Sequence, residues 1–230
     1  MAARAEQLVF DFAQVSRPAL INFAPGRNSE AIATLHAWLT GLVDERCVFL
    51  WGVHGSGKTH LLHASVDAVQ DAGRAAIYAM ARSVELVEHM QPLPALVAID
   101  DAQSLSSTAQ AALFRIFQRA YDEQSRLLIA AQLAPVGLQL RDDLRTRLGA
   151  GLIFHINVLS DDEKAEFLRS HARARGFALP DAIVDYLLRH QDRDLRSLMA
   201  IVDALDQYSL QTKRQVTLPL LREALKAANR

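Results

Sequence analysis

Cysteine is all but absent from this chain. The single thiol, Cys47, excludes an internal disulfide framework and any CxxC metal site, and it favours a reducing compartment. A surplus of either charge is lacking too: 25 basic residues face 26 acidic ones, for a formal charge of -1. Binding nucleic acid over a whole surface rests on neutralised phosphates, so this balance speaks against that mode and leaves room only for a local basic patch. No stretch approaches the ~18 uninterrupted apolar residues of a membrane span. Met1 to Phe12 holds Glu6 and Asp11 and lacks the apolar core and small-residue cleavage site of a secretory signal. Internal repeats and low-complexity runs are missing as well. The expectation is a soluble cytoplasmic protein with no membrane contact.

What is present suits a globular protein. Of 230 residues, 50% are hydrophobic and 22% charged, too apolar for disorder. The length fits one large domain, or a large and a small one, with a core that needs no disulfides. Short apolar runs alternate with helical periodicity, the pattern of an α/β domain around a parallel sheet. Five strands are expected: Val48 to Trp51, Ala75 to Met80, Leu96 to Ile99, Leu127 to Ala131 and Leu152 to Ile156. Helices are expected from Lys58 to about Ala72 and from Ser106 to Glu123, the latter with Ala109, Leu113, Ile116, Phe117 and Ala120 on one face.

After Ile156 only helical patterns follow. Ser160-Asp161-Asp162-Glu163 fits a capping box, in which serine and glutamate satisfy helix-start amides reciprocally. That helix is expected to stop near Gly176. Pro180-Asp181 opens a second, Leu195, Leu198, Met199, Val202 and Leu205 form the stripe of a third, and Pro219 opens a last one. The reading is therefore a tail over 1–16, an α/β nucleotide-binding domain over 17–158 and a small all-α domain over 159–230.

Gly52-Val53-His54-Gly55-Ser56-Gly57-Lys58-Thr59 satisfies G-x-x-x-x-G-K-[ST]. Glycines let the backbone curl so that successive N–H groups point at phosphate oxygens, and the following helix places its positive end there. Lys58 would neutralise β- and γ-phosphate charge, and the Thr59 hydroxyl would ligate Mg²⁺. The motif follows an expected strand and opens an expected helix, which argues against a chance glycine turn. ATP or ADP is the implied ligand, with His60 continuing the stretch. His54, His60 and His63 share no metal-ligand spacing. About forty residues on, Leu96 to Ile99 delivers Asp100-Asp101 to a strand's C-terminal end. Asp100 would hold the metal, and Asp101 would polarise an attacking water.

Two arginine clusters stand elsewhere, Leu144-Arg145-Thr146-Arg147-Leu148 and Arg193-Asp194-Leu195-Arg196. A guanidinium can stabilise charge developing on a transferring phosphoryl group, in its own chain or a neighbour's. It can equally be a solvated surface side chain, and residue chemistry alone leaves both open. In the tail, Leu8, Phe10 and Phe12 alternate, so an extended segment presents them on one face to a groove, or folds back as a strand.

The strand, phosphate loop, Asp-Asp strand and helical lid together resemble the AAA+ ATPase fold, a P-loop domain with a five-stranded parallel sheet followed by an all-α lid. Gly55-Ser56-Gly57-Lys58-Thr59-His60-Leu61-Leu62-His63-Ala64 and Ile99-Asp100-Asp101-Ala102-Gln103 are similar to the bacterial replication initiator DnaA and its relatives, as are Asn22-Phe23, Gly26 and Asn28. The stretch read here stops after the lid, and the expectation is a protein with neither a self-association domain nor a DNA-binding helix-turn-helix. In that, in Gly176 to Pro180 and Asp192 to Arg196, and in the Gln7-Leu8-Val9-Phe10-Asp11-Phe12 tail, it resembles the Hda branch of the DnaA-related family. The resemblance implies a sliding-clamp-binding peptide at Gln7, Leu8, Phe10 and Phe12, the clamp being the DNA polymerase III beta subunit. It implies that Arg147 is an arginine finger acting in trans on ATP held by DnaA and that Arg196 is a nucleotide-sensing lid residue. Where these relatives place a polar sensor residue after the fourth strand, this chain departs with Ala130-Ala131-Gln132, leaving Gln132 as the substitute, so self-hydrolysis is expected to be weak.

The implied function is negative regulation of replication initiation. DNA is reached mainly through the clamp, which would bring the protein to the nucleoid, and homo-oligomers are compatible with it. Two other readings stay open: an autonomous AAA+ ATPase such as a helicase loader, and a small-molecule P-loop kinase.

Overall fold

In the computed structural model, Leu20, residues 23–191 and residues 194–228 are described. The tail peptide Gln7 to Phe12 lies outside them, as do Asn22, Asp192 and Arg193. The described residues divide into two compact units between Val158 and Leu159.

In the α/β unit, β1 (Cys47–Trp51), β3 (Leu96–Asp100) and β4 (Arg126–Ala131) are buried along nearly their whole length. Strands covered on both faces need apolar side chains in both alternations, which is why they read as continuous apolar runs. β2 (Ala76–Met80) and β5 (Leu152–His155) are half-covered. The parallel sheet runs β2-β3-β4-β1-β5, with β2 and β5 at its edges.

Alternation splits the core into two layers. Cys47, Phe49, Val97, Ile99, Leu127 and Ile129 face α3 (Val84–Glu88), α4 (Ser107–Asp122) and α5 (Asp142–Gly149). Val48, Leu50, Leu96, Ala98, Leu128 and Ala130 face α1 (Ser29–Leu39) and α2 (Lys58–Asp71). Phe49 is 0% exposed, so truncation to alanine would cost about 3–5 kcal/mol. Burial also pushes the Cys47 thiol up to about 12, leaving it a protonated packing residue.

The five expected strands are present within one residue at each end. Three helices that the sequence reading did not single out accompany them: α1 before β1, α3 between β2 and β3, and α5 between β4 and β5. α5 buries only Leu144 and Leu148, and α3 spans five residues, so neither shows a sustained period. α1 does carry one, with Ala31, Leu35, Trp38 and Leu39 buried at i, i+4, i+7 and i+8.

The second unit is helical throughout: α6 (Asp161–Ala174), α7 (Asp181–His190), α8 (Leu195–Thr212) and α9 (Leu218–Ala228). The capping box forms, with Glu163 N donating to Ser160 Oγ at 3.2 Å and Ser160 N donating to Glu163 Oε2 at 2.7 Å. Such a cap stabilises a helix start by about 1 kcal/mol. Leu168, Ile183, Leu187, Leu198, Val202, Leu205 and Leu220 build this unit's own core.

Candidate phosphate site

The site grows from the C-terminal ends of β1 and β3. Beyond Trp51 the chain must turn sharply. Gly52 is extended there, and a Cβ on it would lie 2.3 Å from the Ile156 carbonyl oxygen, so backbone approaches backbone where no side chain fits. Asn28 secures that contact from the other side. Its side chain is 2% exposed, donates to Asn157 O at 3.0 Å and accepts from Asn157 N at 2.7 Å. The segment after β5 is thus tied, one residue beyond Ile156, to the start of α1 by a residue far away in sequence.

Gly57 ends the loop at φ +95° and caps α2. A Cβ there would sit 2.7 Å from the Phe23 ring as well as straining the backbone. Leu61 N makes the first helical bond, to Gly57 O, so the amides of the preceding turn face the loop's concavity as donors. Lys58 is 9% exposed and curls back into the loop. Its ammonium donates to Gly52 O at 2.8 Å, Val53 O at 2.9 Å and Ser56 Oγ at 3.3 Å. Burial lowers its pKa, while Asp100 and Asp101 oppose that shift. Gly52 and Ser56 are buried, whereas Val53, His54 and Gly55 form an exposed rim.

Asp100, 4% exposed, is held on three sides. Thr59 Oγ1 donates to its Oδ2 at 2.6 Å, Tyr78 Oη to the same oxygen at 3.1 Å, and Asp101 N to its Oδ1 at 2.9 Å. The hydroxyl of Tyr78 stays protonated, its pKa pushed up to about 12 by burial and by Asp100. Asp101 adopts a left-handed backbone at φ 57°. Gln103 Nε2 donates to its Oδ1 at 2.9 Å, and Gln103 Oε1 accepts from Gln132 N at 3.1 Å. Gln103 therefore ties Asp101 to the start of the segment that follows β4.

The donor set of one carboxylate and one hydroxyl suits Mg²⁺, which keeps much of its shell as water and phosphate oxygen. Among the described residues no group of three or more His, Cys, Asp or Glu is arranged to hold a metal ion. His60 lies 5.8 Å from the Phe23 ring, and His63 stacks on Tyr78 with centroids 4.0 Å apart. Both histidines border the site through ring contacts.

The fold brings Gly52 to Thr59, Asp100 and Asp101 together. It leaves Arg147 on α5, exposed, with its guanidinium 5.5 Å above the Phe114 ring. Arg145 on the same helix pairs with Asp142 and reaches Leu140 O at 3.4 Å. Arg196 stands exposed in the first turn of α8, whose start Asp194 caps through Ser197 N at 3.0 Å. Sequence reasoning missed Tyr78 as a site residue and the bridging role of Gln103. Nothing along the chain marks either, because each acts across strands.

Comparison with known proteins places this arrangement. Residues 161–225 match the family model described as the Hda lid domain. The whole fold is similar to domain III of the replication initiation protein DnaA from Thermotoga maritima, at a TM-score of 0.69 and 22% identity, over 91% of this chain and 95% of that one. The helical unit is thus similar to the Hda lid domain, and the fold as a whole to that of the DnaA domain. A structure of the replication initiator DnaA bound to AMPPCP and single-stranded DNA matches at TM-score 0.69 and 22% identity, over 85% of this chain and 67% of that one. The RuvB Holliday junction branch migration motor of Thermotoga maritima shares the fold at TM-score 0.58 and 16% identity, over 86% of this chain and 67% of that one. These likenesses show the fold, an α/β domain with a five-stranded parallel sheet followed by a helical lid domain. Among the described residues no helix is long and apolar enough to cross a membrane.

Proposed function

We propose that this protein is a nucleotide-bound regulator that promotes hydrolysis of ATP held by DnaA and so restrains replication initiation. The observation that carries this reading is the Hda lid over residues 161–225 on an AAA+ domain with a formed phosphate loop. In this reading the loop from Gly52 to Thr59 cradles the phosphates of ADP or ATP with its backbone amides. Lys58 exchanges loop carbonyls for phosphate oxygens, and Thr59 and Asp100 hold Mg²⁺, which neutralises phosphate charge when bound. Asp101 lies next to Asp100, where a base would be needed for any turnover of the chain's own nucleotide. Arg196 enters on the family resemblance, as does docking of Gln7, Leu8, Phe10 and Phe12 to the sliding clamp in the cytoplasm.

Arg147 acts in trans. Its guanidinium is exposed and, among the described residues, rests on the Phe114 ring without an ion pair, so a partner's phosphates can take it without breaking one there. The deciding experiment measures conversion of DnaA-bound ATP to ADP with clamp-loaded DNA, with and without this protein. Acceleration supports the reading. Vigorous ATP turnover by the protein alone, with no effect on DnaA, would replace it with an autonomous ATPase.

A further inference from the structure

Four side chains close a small figure beside the phosphate loop. Thr59 and His63 lie one turn apart on α2, and so on the same face of that helix. Tyr78 on β2 and Asp100 on β3 lie on the sheet face that α2 covers, because β2 and β3 pair Tyr78 with Ala98 and Met80 with Asp100. The tyrosine therefore reaches the aspartate along the diagonal. The contacts run His63 on Tyr78 at 4.0 Å between ring centroids, Tyr78 Oη to Asp100 Oδ2 at 3.1 Å, and Thr59 Oγ1 to the same Oδ2 at 2.6 Å.

A carboxylate oxygen offers about two lone-pair sites. Those of Oδ2 are taken by Tyr78 and Thr59, while Oδ1 gives one to Asp101 N. The one acceptor position left on this buried carboxylate belongs to Oδ1. Removing the Tyr78 hydroxyl would free a lone pair on Oδ2 and let the carboxylate turn.

We propose that Tyr78, with its ring held by His63, is a positioning residue that selects Oδ1 of Asp100 as the oxygen offered to the Mg²⁺–nucleotide complex. The inference rests on the nucleotide reading above and adds to it a residue outside the phosphate-loop and Asp-Asp motifs. Partners that orient a metal-binding carboxylate typically contribute 10–100-fold in metal affinity. The effect should fall on the Mg²⁺-dependent part of nucleotide binding alone.

The test is titration of the full chain with a fluorescent ADP analogue in Mg²⁺ and in EDTA, read as the ratio of the two dissociation constants. In Tyr78→Phe that ratio should fall about tenfold, while the EDTA constant stays within about twofold of the parent. In Asp100→Asn the ratio should collapse, and adding Tyr78→Phe to it should change nothing further, since the tyrosine would have no carboxylate left to aim. His63→Leu keeps the hydroxyl but loosens the ring and should give a smaller fall in the same direction. An unchanged or increased ratio in Tyr78→Phe overturns the proposal, as does an equal loss in Mg²⁺ and EDTA, which would mark a general structural role. Failure of the nucleotide reading looks different: the unmodified protein itself would then show no nucleotide binding or no response to Mg²⁺, and the inference would fall with it.

Discussion

The phosphate loop and helix α5 treat their cations in opposite ways. Lys58 is buried and spends its three protons on the loop that carries it, at 2.8, 2.9 and 3.3 Å. Arg147 is exposed and lies over an aromatic face at 5.5 Å, with no ion pair among the described residues. A cation held so tightly in its own loop is built to serve a ligand inside that loop. One resting on a ring has its donors facing outward, at a cost of about 0.5–1 kcal/mol to lift it away. The contrast suggests a division of labour, with Lys58 holding this chain's own nucleotide and Arg147 reaching another's.

The largest effect expected from breaking that division is at Arg147. An arginine supplied to developing phosphoryl charge contributes ~10³–10⁵ in turnover in GTPase systems. Arg147→Ala should therefore lower stimulation of DnaA-bound ATP hydrolysis by at least about a hundredfold. Its own ADP affinity should be unchanged, as measured by titration. Arg147→Lys should not restore stimulation, because an ammonium lacks the planar fork. A variant that loses its own nucleotide along with stimulation would show the two cations to be one site.

Next in size is Asn28→Ala, which sharpens the comparison by loosening the loop while keeping Lys58. It removes three bonds, at 3.0, 2.7 and 3.4 Å, between buried Asn28 and half-buried Asn157, and leaves the Asn157 groups without those partners. The expected loss is about 2 kcal/mol of stability by denaturant titration, with weaker nucleotide binding because Gly52 no longer has a fixed neighbour. Wild-type stability in this variant would mean that the Asn28–Asn157 pair does not secure the segment beside Gly52.

Lys58→Ala follows. It removes the motif's only side-chain cation and leaves phosphate charge to backbone amides, so ADP and ATP affinity should drop at least tenfold, about 1.4 kcal/mol. The alanine also leaves the carbonyls of Gly52 and Val53 without that donor, the first of them buried, so folding is checked by denaturant titration beside the binding measurement. Unchanged affinity in a folded variant would remove Lys58 from the nucleotide reading.

How much of this was legible in the sequence depends on whether the signal was local. The phosphate loop was legible because its spacing alone fixes where the amides and Lys58 sit. β3 and β4 were legible because burial on both faces left unbroken apolar runs. The capping box at Ser160 was legible since both partners lie within four residues. Tyr78 was not, because its role exists only when β2 and β3 are in register. Gln103 was quoted as part of a family word, yet its bond to Gln132 N appears only after β4 packs beside β3. Helix α5 escaped because Leu144 and Leu148 are too few to establish a period, although it carries the arginine on which the proposed function turns.

The smallest effect is expected at Arg145, and it tests whether α5 is specific or merely basic. Arg145 shares the helix and charge of Arg147 but is already engaged, with Asp142 one turn away and with the Leu140 carbonyl. Asp142 has a side chain 90% exposed, so their pair is screened and contributes little to stability. Arg145→Ala should leave stimulation of DnaA within about twofold of wild type and shift stability by no more than about 0.5 kcal/mol. Equal loss at the two positions would mean that the partner reads a general positive patch, whose effect should then fade steeply with added salt. A loss confined to Arg147 and persisting at high salt would instead mark a guanidinium seated on phosphate, where desolvation protects the contact from screening.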